Sequence, residues 1–161
     1  MAAIYPVALP QVYGYLLPRC GSVALAEDIT AETFMAAVAA TRRHPPPRVT
    51  VAWLIGIARH KLVDHWRRVE REQRGLAAVE QEHRDSEDPW SDVLDAQAAH
   101  VALLRLSLPQ RMALTLRYLD GLSVPEVAQH LDRSVHATET LLVRARSALR
   151  HVYREGEDHA A

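Results

Sequence analysis

The run of helix signals between Gly121 and Arg146, GLSVPEVAQHLDRSVHATETLLVRAR, constrains the fold more than any other part of the chain. Gly121 suits the position just after a helix, where the backbone turns left-handed. Ser123 and Glu126 form an S-x-x-E capping box at the start of the next helix, and Pro125 lies in its first turn, where a missing N–H costs little. The segment DRS that follows predicts a tight turn. The spacing therefore predicts a helix-turn-helix.

The neighbouring residues extend this motif to four helices. Ser134 can cap a final helix, which we expect to end near Tyr153. Upstream, HVALLRLSLPQRMALTLRYLDGLS predicts two helices, and Pro109 is a suitable first-turn residue for the second. Gly156 and its charged neighbours predict a short flexible tail after the final helix.

Capping and stop signals in the N-terminal half of the sequence also predict helices. One should cover about Leu9–Cys20 and stop at Gly21, and a second, capped by Asp28 or Thr30, should run to about Ala40. The proline-rich stretch RRHPPPRVT, residues 42–50, cannot continue a helix and predicts an exposed, stiff loop.

A long amphipathic helix is predicted by VAWLIGIARHKLVDHWRRVER. Apolar residues recur at helical spacing on one face, which we expect to be buried: Leu54, Ala58, Leu62, Trp66 and Val69. A second, mostly basic face carries His60, Asp64, Arg67 and Arg71.

No segment alternates in hydrophobicity as a strand would, and no Asn-Gly or Asp-Gly hairpin signal is present. The predicted fold class is therefore all-α. We predict two small helical domains, residues 1–71 and 102–161, joined by a flexible acidic linker over residues 72–101.

Charge is distributed unevenly, although the formal net charge is only −1. Residues 59–74 hold six basic and three acidic side chains, and residues 133–154 hold five arginines against Glu139 alone. Between them, residues 75–100 hold seven acids against Arg84. Two basic segments separated by an acidic one fit two DNA-facing modules better than one uniform surface.

The final helix should pack through one face and contact DNA through another. We expect Thr138, Leu142, Ala145 and Leu149 to pack inward, and His136, Thr140, Val143 and Ser147 to face DNA. Such a helix places its N-terminal turns nearest the bases. Glu139 can accept a hydrogen bond from cytosine N4, or it is simply a solvated residue. Three arginines further along suit phosphates: Arg144, Arg146 and Arg150.

Several classes of protein are disfavoured. A single cysteine, Cys20, excludes an internal disulfide framework, and we interpret it as a buried thiol rather than a redox switch. No apolar run is long enough to span a bilayer, and the N-terminus lacks the basic start of a signal peptide. There is no H-E-x-x-H, glycine-rich phosphate loop or nucleophile elbow, and His60 and His65 lie on different helix faces. We expect no catalytic residue, metal site or cofactor.

Three segments resemble conserved regions of bacterial RNA polymerase sigma factors of the extracytoplasmic-function (ECF) type. LAEDITAETFMAA, Leu25–Ala37, resembles the polymerase-binding helix of region two, and AWLIGIARHKLVDHWRR, Ala52–Arg68, resembles the helix that opens the −10 element. LPQRMALTLRYLDGLSVPEVAQHL followed by VRARSALR resembles region four, which binds the −35 element. The resemblance implies a cytoplasmic bacterial protein, nucleoid-associated when in holoenzyme, that delivers core polymerase to promoters and helps melt the −10 region.

The resemblance also implies partners and site residues. Core polymerase would be contacted through its β flap and through its β′ clamp coiled coil, the latter by Asp28, Thr30, Glu32 and Thr33. The −10 DNA would be contacted by Arg43, His44, Arg48, His60, Lys61, Asp64, Arg67 and Arg68. The −35 DNA would be contacted by His136, Glu139, Thr140, Val143, Arg144 and Arg146. An anti-sigma factor is a candidate partner, and no membrane contact is expected.

Two further residue assignments are open to a simpler interpretation. His60, which stands where the family usually has asparagine, is suited to stack on an extruded −10 base, or it is a solvated histidine on a basic face. Ala160 and Ala161 resemble the terminal Ala-Ala that ClpX-type unfoldases recognise, which makes them a candidate degron if the tail is unstructured, or a chance ending.

The chain departs from the family pattern at two places. The loop before the long helix carries Pro45–Pro47 where relatives usually have glycine. In the final helix HATETL replaces GTVKSR, so that Glu139 and Leu141 stand in place of lysine and arginine. The −10 and −35 sequences that relatives prefer therefore cannot be carried over.

Two other functions compete with this interpretation. An autonomous helix-turn-helix regulator would have no need of AEDITAETF and would bind duplex DNA without polymerase. An enzyme, such as a metal hydrolase using some of the nine histidines, would need a ligand spacing that the sequence lacks.

Overall fold

The computed structural model describes residues 1–75 and 96–160, and every regular element in these two ranges is a helix. The α-helices are α1 (Tyr5–Cys20), α2 (Val23–Thr41), α3 (Val51–Arg74), α4 (Ala96–Leu104), α5 (Leu108–Leu114), α6 (Val124–Leu131) and α7 (Val135–Ala160). A π-helical segment, Thr115–Leu119, follows α5 directly. The prediction of an all-α fold is confirmed.

The first compact unit covers Met1–His65 and contains α1, α2 and most of α3. α1 and α2 pack against each other, and each contributes small and apolar side chains to a common core. The buried apolar positions are Ala8, Val12, Leu16, Ala26, Ile29, Phe34, Ala37, Leu54, Ala58, Leu62 and Val63. Burial of these side chains stabilises the unit in proportion to the apolar area removed from water.

Helices α1 and α2 both begin earlier in the chain than predicted. α1 starts at Tyr5 because Pro6 occupies its first turn, and it ends at Gly21, whose φ of 74° is left-handed. α2 is capped by Ser22, whose Oγ accepts a hydrogen bond from the Leu25 amide at 3.2 Å. The prediction that Asp28 or Thr30 caps this helix is therefore wrong, since Ser22 already satisfies the first free amides.

α3 has the two faces that the sequence predicts. Leu54, Ala58, Leu62 and Trp66 are buried, whereas Val69 at its far end is half-buried. The loop over residues 42–50 ends at Thr50, which caps α3 by accepting a hydrogen bond from the Trp53 amide at 3.1 Å. Cys20 at the end of α1 is half-buried rather than fully buried.

The second unit covers Trp66–Ala161, so α3 runs across the division between the units. The predicted domain limit at residue 71 remains a prediction. α3 extends to Arg74 and α4 begins at Ala96, so both ends of the predicted linker are helical. Arg74 pairs with Glu70 at 2.6 Å one turn earlier, which supports the last turn of α3. Residues 76–95, which carry most of the acidic linker, lie outside the described residues.

The helix-turn-helix is present in this unit, and its helix ends are capped as predicted. The Ser123 Oγ accepts from the Glu126 amide at 3.3 Å while the Glu126 carboxylate accepts from the Ser123 amide at 3.5 Å. Gly121 (φ 69°) and Asp132 (φ 53°) adopt the left-handed conformation that turns the chain on either side of α6. α4, α5, α6 and α7 form the predicted group of four helices.

α7 continues to Ala160, beyond the predicted end at Tyr153. Glu155 pairs with His151 at 3.2 Å and with Arg105, the residue after α4, at 3.6 Å, and these contacts support the helix on both sides of the turn that contains Gly156. One helical glycine costs only about 1 kcal/mol relative to alanine. The expected unstructured tail is therefore wrong up to Ala160. Ala161 lies outside the described residues, and the degron assignment of Ala160 and Ala161 stays a prediction.

Within the described ranges, no helix has the length and apolar character that crossing a membrane requires. The same ranges contain no group of three or more side chains suited to holding a metal ion.

The capping box gives a test of the fold. Ser123→Ala removes the Oγ that accepts from the Glu126 amide, and it should lower the free energy of unfolding by about 1 kcal/mol, within a usual range of about 0.5–2. Ser107→Ala is the matched control, because Ser107 is the N-cap of α5 but its side chain makes no cap hydrogen bond. Urea denaturation followed by circular dichroism measures both. Equal losses in the two variants would contradict a specific role for the capping box.

Candidate nucleic-acid interface

The first turns of α7 present polar side chains to solvent. Ser134 caps the helix by accepting a hydrogen bond from the Ala137 amide at 3.1 Å. Thr138 is buried, and its hydroxyl donates to the Ser134 carbonyl at 2.9 Å. His136, Glu139 and Thr140 are exposed at the positive end of the helix dipole. This end of α7 is therefore free to approach an anionic partner.

Exposure falls along the same face towards the C-terminus of α7. Val143, Arg144 and Arg146 are half-buried. Ser147 is 8% exposed and Arg150 is 9% exposed, because α7 packs against α4, α5 and α6. The predictions that Ser147 faces DNA and that Arg150 contacts a phosphate are therefore wrong in this structure. The other predicted −35 residues lie together on the accessible part of the helix.

Tyr118, which the sequence analysis did not single out, contacts this face. Its hydroxyl oxygen accepts a hydrogen bond from Arg146 Nη1 at 2.8 Å. The neighbouring Arg117 donates to the Leu122 carbonyl at 2.9 Å, and its guanidinium carbon lies 5.8 Å from the centre of the Tyr118 ring. No local motif pointed to Tyr118, since it occupies an apparently regular helix in the sequence.

The predicted −10 residues lie on the loop before α3 and along α3. Arg43, His44 and Arg48 are exposed on the loop. Of the predicted residues on α3, His60, Asp64 and Arg68 are exposed, and Lys61 and Arg67 are half-buried. The helix thus presents a polar, mostly basic face that begins beside an exposed basic loop.

The last turns of α3 also contact the turn between α6 and α7. Arg67 Nη2 lies 3.4 Å from Asp132 Oδ2, and Glu70 Oε1 accepts from Arg133 at 2.8 Å. The Glu70 side chain is only 13% exposed and also pairs with Arg74, so it bridges two arginines. Glu70 had no signal in the sequence beyond its place in a basic helix. The Arg67–Asp132 pair is more exposed, and such pairs contribute about 0–1 kcal/mol.

On α2 the predicted polymerase-binding residues divide into two groups. Asp28 and Glu32 are exposed one turn apart on the same face. Thr30 and Thr33 are buried, and their hydroxyls donate to the Ala26 carbonyl at 2.6 Å and the Ile29 carbonyl at 2.7 Å. Both threonines therefore face the core and cannot offer a surface contact, which corrects that part of the assignment.

An apolar groove of about 420 Å³ lies beside the same part of α2, and the sequence analysis missed it. Tyr5 and Phe34 meet edge to face within it, with ring centroids 4.9 Å apart. Met35 and Val38 remain 67% and 42% exposed. Met35 follows Glu32 by three residues, so the groove continues the face that carries the two carboxylates.

Two family models match successive parts of the chain. The Sigma-70 region 2 family model matches residues 7–72, and the Sigma-70, region 4 model matches residues 96–149. The fold is similar to that of the sigma factor RpoE in its co-crystal structure with the anti-sigma factor NepR from Bartonella quintana. That similarity has a TM-score of 0.58 at 24% identity and covers 95% of this chain and 96% of that one.

Among curated proteins, the ECF RNA polymerase sigma factor BldN of Streptomyces coelicolor is 35% identical over 139 residues, 83% of this chain and 53% of BldN. The chain thus spans about half of the length of BldN. SigC of Mycobacterium tuberculosis, also an ECF RNA polymerase sigma factor, is 33% identical over 128 residues, 79% of this chain and 69% of SigC.

Both sigma-70 regions therefore occur in one chain, in order, on the helices that carry the exposed basic and polar faces. The chain belongs to the family of ECF RNA polymerase sigma factors.

Proposed function

We propose that the protein is an alternative sigma factor that binds core RNA polymerase, directs it to −35 and −10 promoter elements and helps to melt the −10 region. The observation that carries this proposal is the match of region 2 and region 4 to successive helical segments of one chain. Each segment has an accessible face of suitable chemistry. The protein acts in the bacterial cytoplasm as a binding subunit and performs no reaction of its own.

The −35 element is contacted by the N-terminal turns of α7. His136, Glu139 and Thr140 are exposed there and can reach base edges in the major groove. Val143 can contact a thymine methyl group, while Arg144 and Arg146 can neutralise phosphates. The burial of Arg150 limits this contact to roughly the first three turns of the helix.

The −10 element is contacted by α3 and the loop before it. Arg43, His44 and Arg48 on the loop, with Lys61 and Arg68 on the helix, provide cationic or hydrogen-bonding groups for the DNA backbone. Removing a base from its stack costs a few kcal/mol, which stacking and edge hydrogen bonds must offset. The exposed His60 can make both kinds of contact.

Core polymerase is bound through the exposed face of α2. Asp28 and Glu32 are accessible carboxylates, and the groove lined by Tyr5, Phe34 and Met35 extends the same surface. A partner helix that carries basic side chains beside apolar ones would complement both parts. We assign this face to the β′ clamp coiled coil, and region 4 to the β flap.

Regulation by an anti-sigma factor is part of the proposal. RpoE of Bartonella quintana, which has a similar fold, was crystallised with the anti-sigma factor NepR. The alternative of an autonomous regulator is less favoured, because it does not account for the region 2 match over residues 7–72.

The first prediction is that the purified protein alone binds duplex DNA weakly and that core polymerase converts it into a promoter-specific complex. A formal net charge of −1 supplies little of the phosphate neutralisation on which non-specific affinity depends. Run-off transcription with core polymerase across a genomic library identifies a promoter, and fluorescence anisotropy then compares the free protein with the holoenzyme. Tight, sequence-specific binding by the free protein at physiological salt would support the autonomous regulator instead.

The second prediction concerns the polymerase-binding face. Asp28→Lys should weaken binding to core polymerase by about tenfold or more, since it replaces a complementary charge with a repulsive one. Asp158→Lys is the matched control, because Asp158 is exposed on α7, outside every contact face proposed here, and the substitution changes the net charge equally. Surface plasmon resonance against immobilised core polymerase measures both variants. Equal losses would show that polymerase senses net charge rather than this face.

The third prediction concerns Glu139. If its carboxylate accepts from a cytosine N4, Glu139→Gln should relax the preference at one −35 base pair and cost about 1–3 kcal/mol there. Glu139→Lys should raise general DNA affinity and broaden the −35 preference, because it adds a phosphate-seeking charge. Holoenzyme binding to a library randomised at the −35 element tests both. Unchanged −35 profiles in both variants would make Glu139 a surface residue only.

A further inference from the structure

The π-helical segment between α5 and the turn before α6 sets the direction of Tyr118. The Asp120 amide donates to the Thr115 carbonyl at 3.0 Å, five residues back, and the Leu122 amide donates to the Leu116 carbonyl at 3.1 Å. A π-turn holds one residue more than an α-turn, so the side chains that follow shift round the helix axis by about 100°. This local departure from regular helix accompanies the contact between Tyr118 and α7.

The surroundings of this segment are tightly constrained. Five successive residues, Met112–Leu116, are buried, so no side of the helix faces solvent there. Gly121 adopts a left-handed conformation just beyond the segment. Within the segment, Arg117 Nη1 donates a hydrogen bond to the Leu122 carbonyl at 2.9 Å, which links the segment to the turn that follows. Tyr118 therefore projects from a rigid part of the domain, which gives its hydroxyl a defined position.

Arg146 lies where the accessible face of α7 passes into the domain. It follows Glu139 by seven residues on the same side of the helix, roughly two turns or about 10 Å further along. Glu139 is exposed, Arg146 is half-buried, and Arg150 in the next turn is buried. Arg146 is thus the last partly accessible basic residue before the buried Arg150.

The partner that the structure gives Arg146 is neutral. Its Nη1 donates to the Tyr118 hydroxyl at 2.8 Å. By contrast, Arg133 and Arg105 pair with the carboxylates Glu70 and Glu155. A carboxylate would offset much of the positive charge of a guanidinium, whereas a phenol holds it in place and leaves that charge available to a phosphate.

We propose that Tyr118 is a positioning residue for DNA binding: its hydroxyl holds Arg146 in the orientation that contacts a backbone phosphate at the −35 element. This inference rests on the proposed function of the chain. Immobilising a flexible arginine on binding normally costs affinity. The hydrogen bond from Arg146 to the Tyr118 hydroxyl already restricts the arginine side chain before DNA binds.

The test uses the full-length protein in holoenzyme, bound to the promoter found by run-off transcription. Tyr118→Phe removes only the hydroxyl and should weaken promoter binding by about 2- to 12-fold, the usual penalty for immobilising one such side chain. The charge of Arg146 remains, so the slope of log K against log salt should not change. Arg146→Met should reduce the magnitude of that slope by about 0.9, the value for one lost phosphate contact.

The double variant separates positioning from general stability. If Tyr118 acts through Arg146, Tyr118→Phe should have no further effect in a protein that already carries Arg146→Met. Tyr153→Phe is the matched control: Tyr153 is half-buried on α7, its hydroxyl has no hydrogen-bond partner in the described ranges, and binding should stay at the wild-type level. Thermal melts monitored by circular dichroism establish that each variant is folded at the assay temperature.

Three results would overturn the inference. Tyr118→Phe that binds like wild type, while wild type still directs promoter-specific transcription, removes the role of Tyr118 and leaves the proposed function intact. Additive effects in the double variant make Tyr118 a structural residue only. Failure of the wild-type protein to direct core polymerase to any promoter overturns the proposed function and this inference with it.

Discussion

The turns on either side of α6 determine the direction of α7 and therefore which of its side chains are exposed. A helix end leaves backbone amides and carbonyls without intrahelical partners. Here the side chains of Ser123 and Glu126 each accept a hydrogen bond from the other residue's backbone amide at the start of α6. The left-handed Gly121 and Asp132 turn the chain before and after this helix. With both turns fixed, α7 leaves the motif in one direction, and the position of its exposed N-terminal residues follows from that direction.

Packing then limits how much of α7 is available. Thr138, Leu142, Ala145 and Leu149 are buried, which anchors the helix along its whole contact with the domain. Because α7 packs against α4, α5 and α6, exposure along this face falls from the exposed residues near Val135 to the buried Ser147 and Arg150. An arginine-rich sequence therefore does not mean an equally basic surface, and the first turns of α7 carry its most accessible polar side chains.

The same distinction applies to α2. A helix places residues three and four apart on one face, so Asp28 and Glu32 share a surface while Thr30 and Thr33 turn inward. The inward threonines satisfy their hydroxyls on carbonyls of the preceding turn, at distances of 2.6 and 2.7 Å. These two hydroxyls are thus satisfied inside the packed unit, and the accessible surface of α2 consists of the two carboxylates beside the adjacent apolar groove.

The sequence by itself determined the helical class, the capping box, the turn at residues 132–134 and the two faces of α3, because these depend on local spacing and backbone preference. It misplaced the start of α2 and the end of α7, where Ser22 and the pairs made by Glu155 outweighed the residues that were expected to start or stop a helix. Only the tertiary structure decided that Ser147 and Arg150 are buried and that Tyr118 meets Arg146. Those facts depend on which helices pack together, and residues 28 positions apart carry no local signal of their contact.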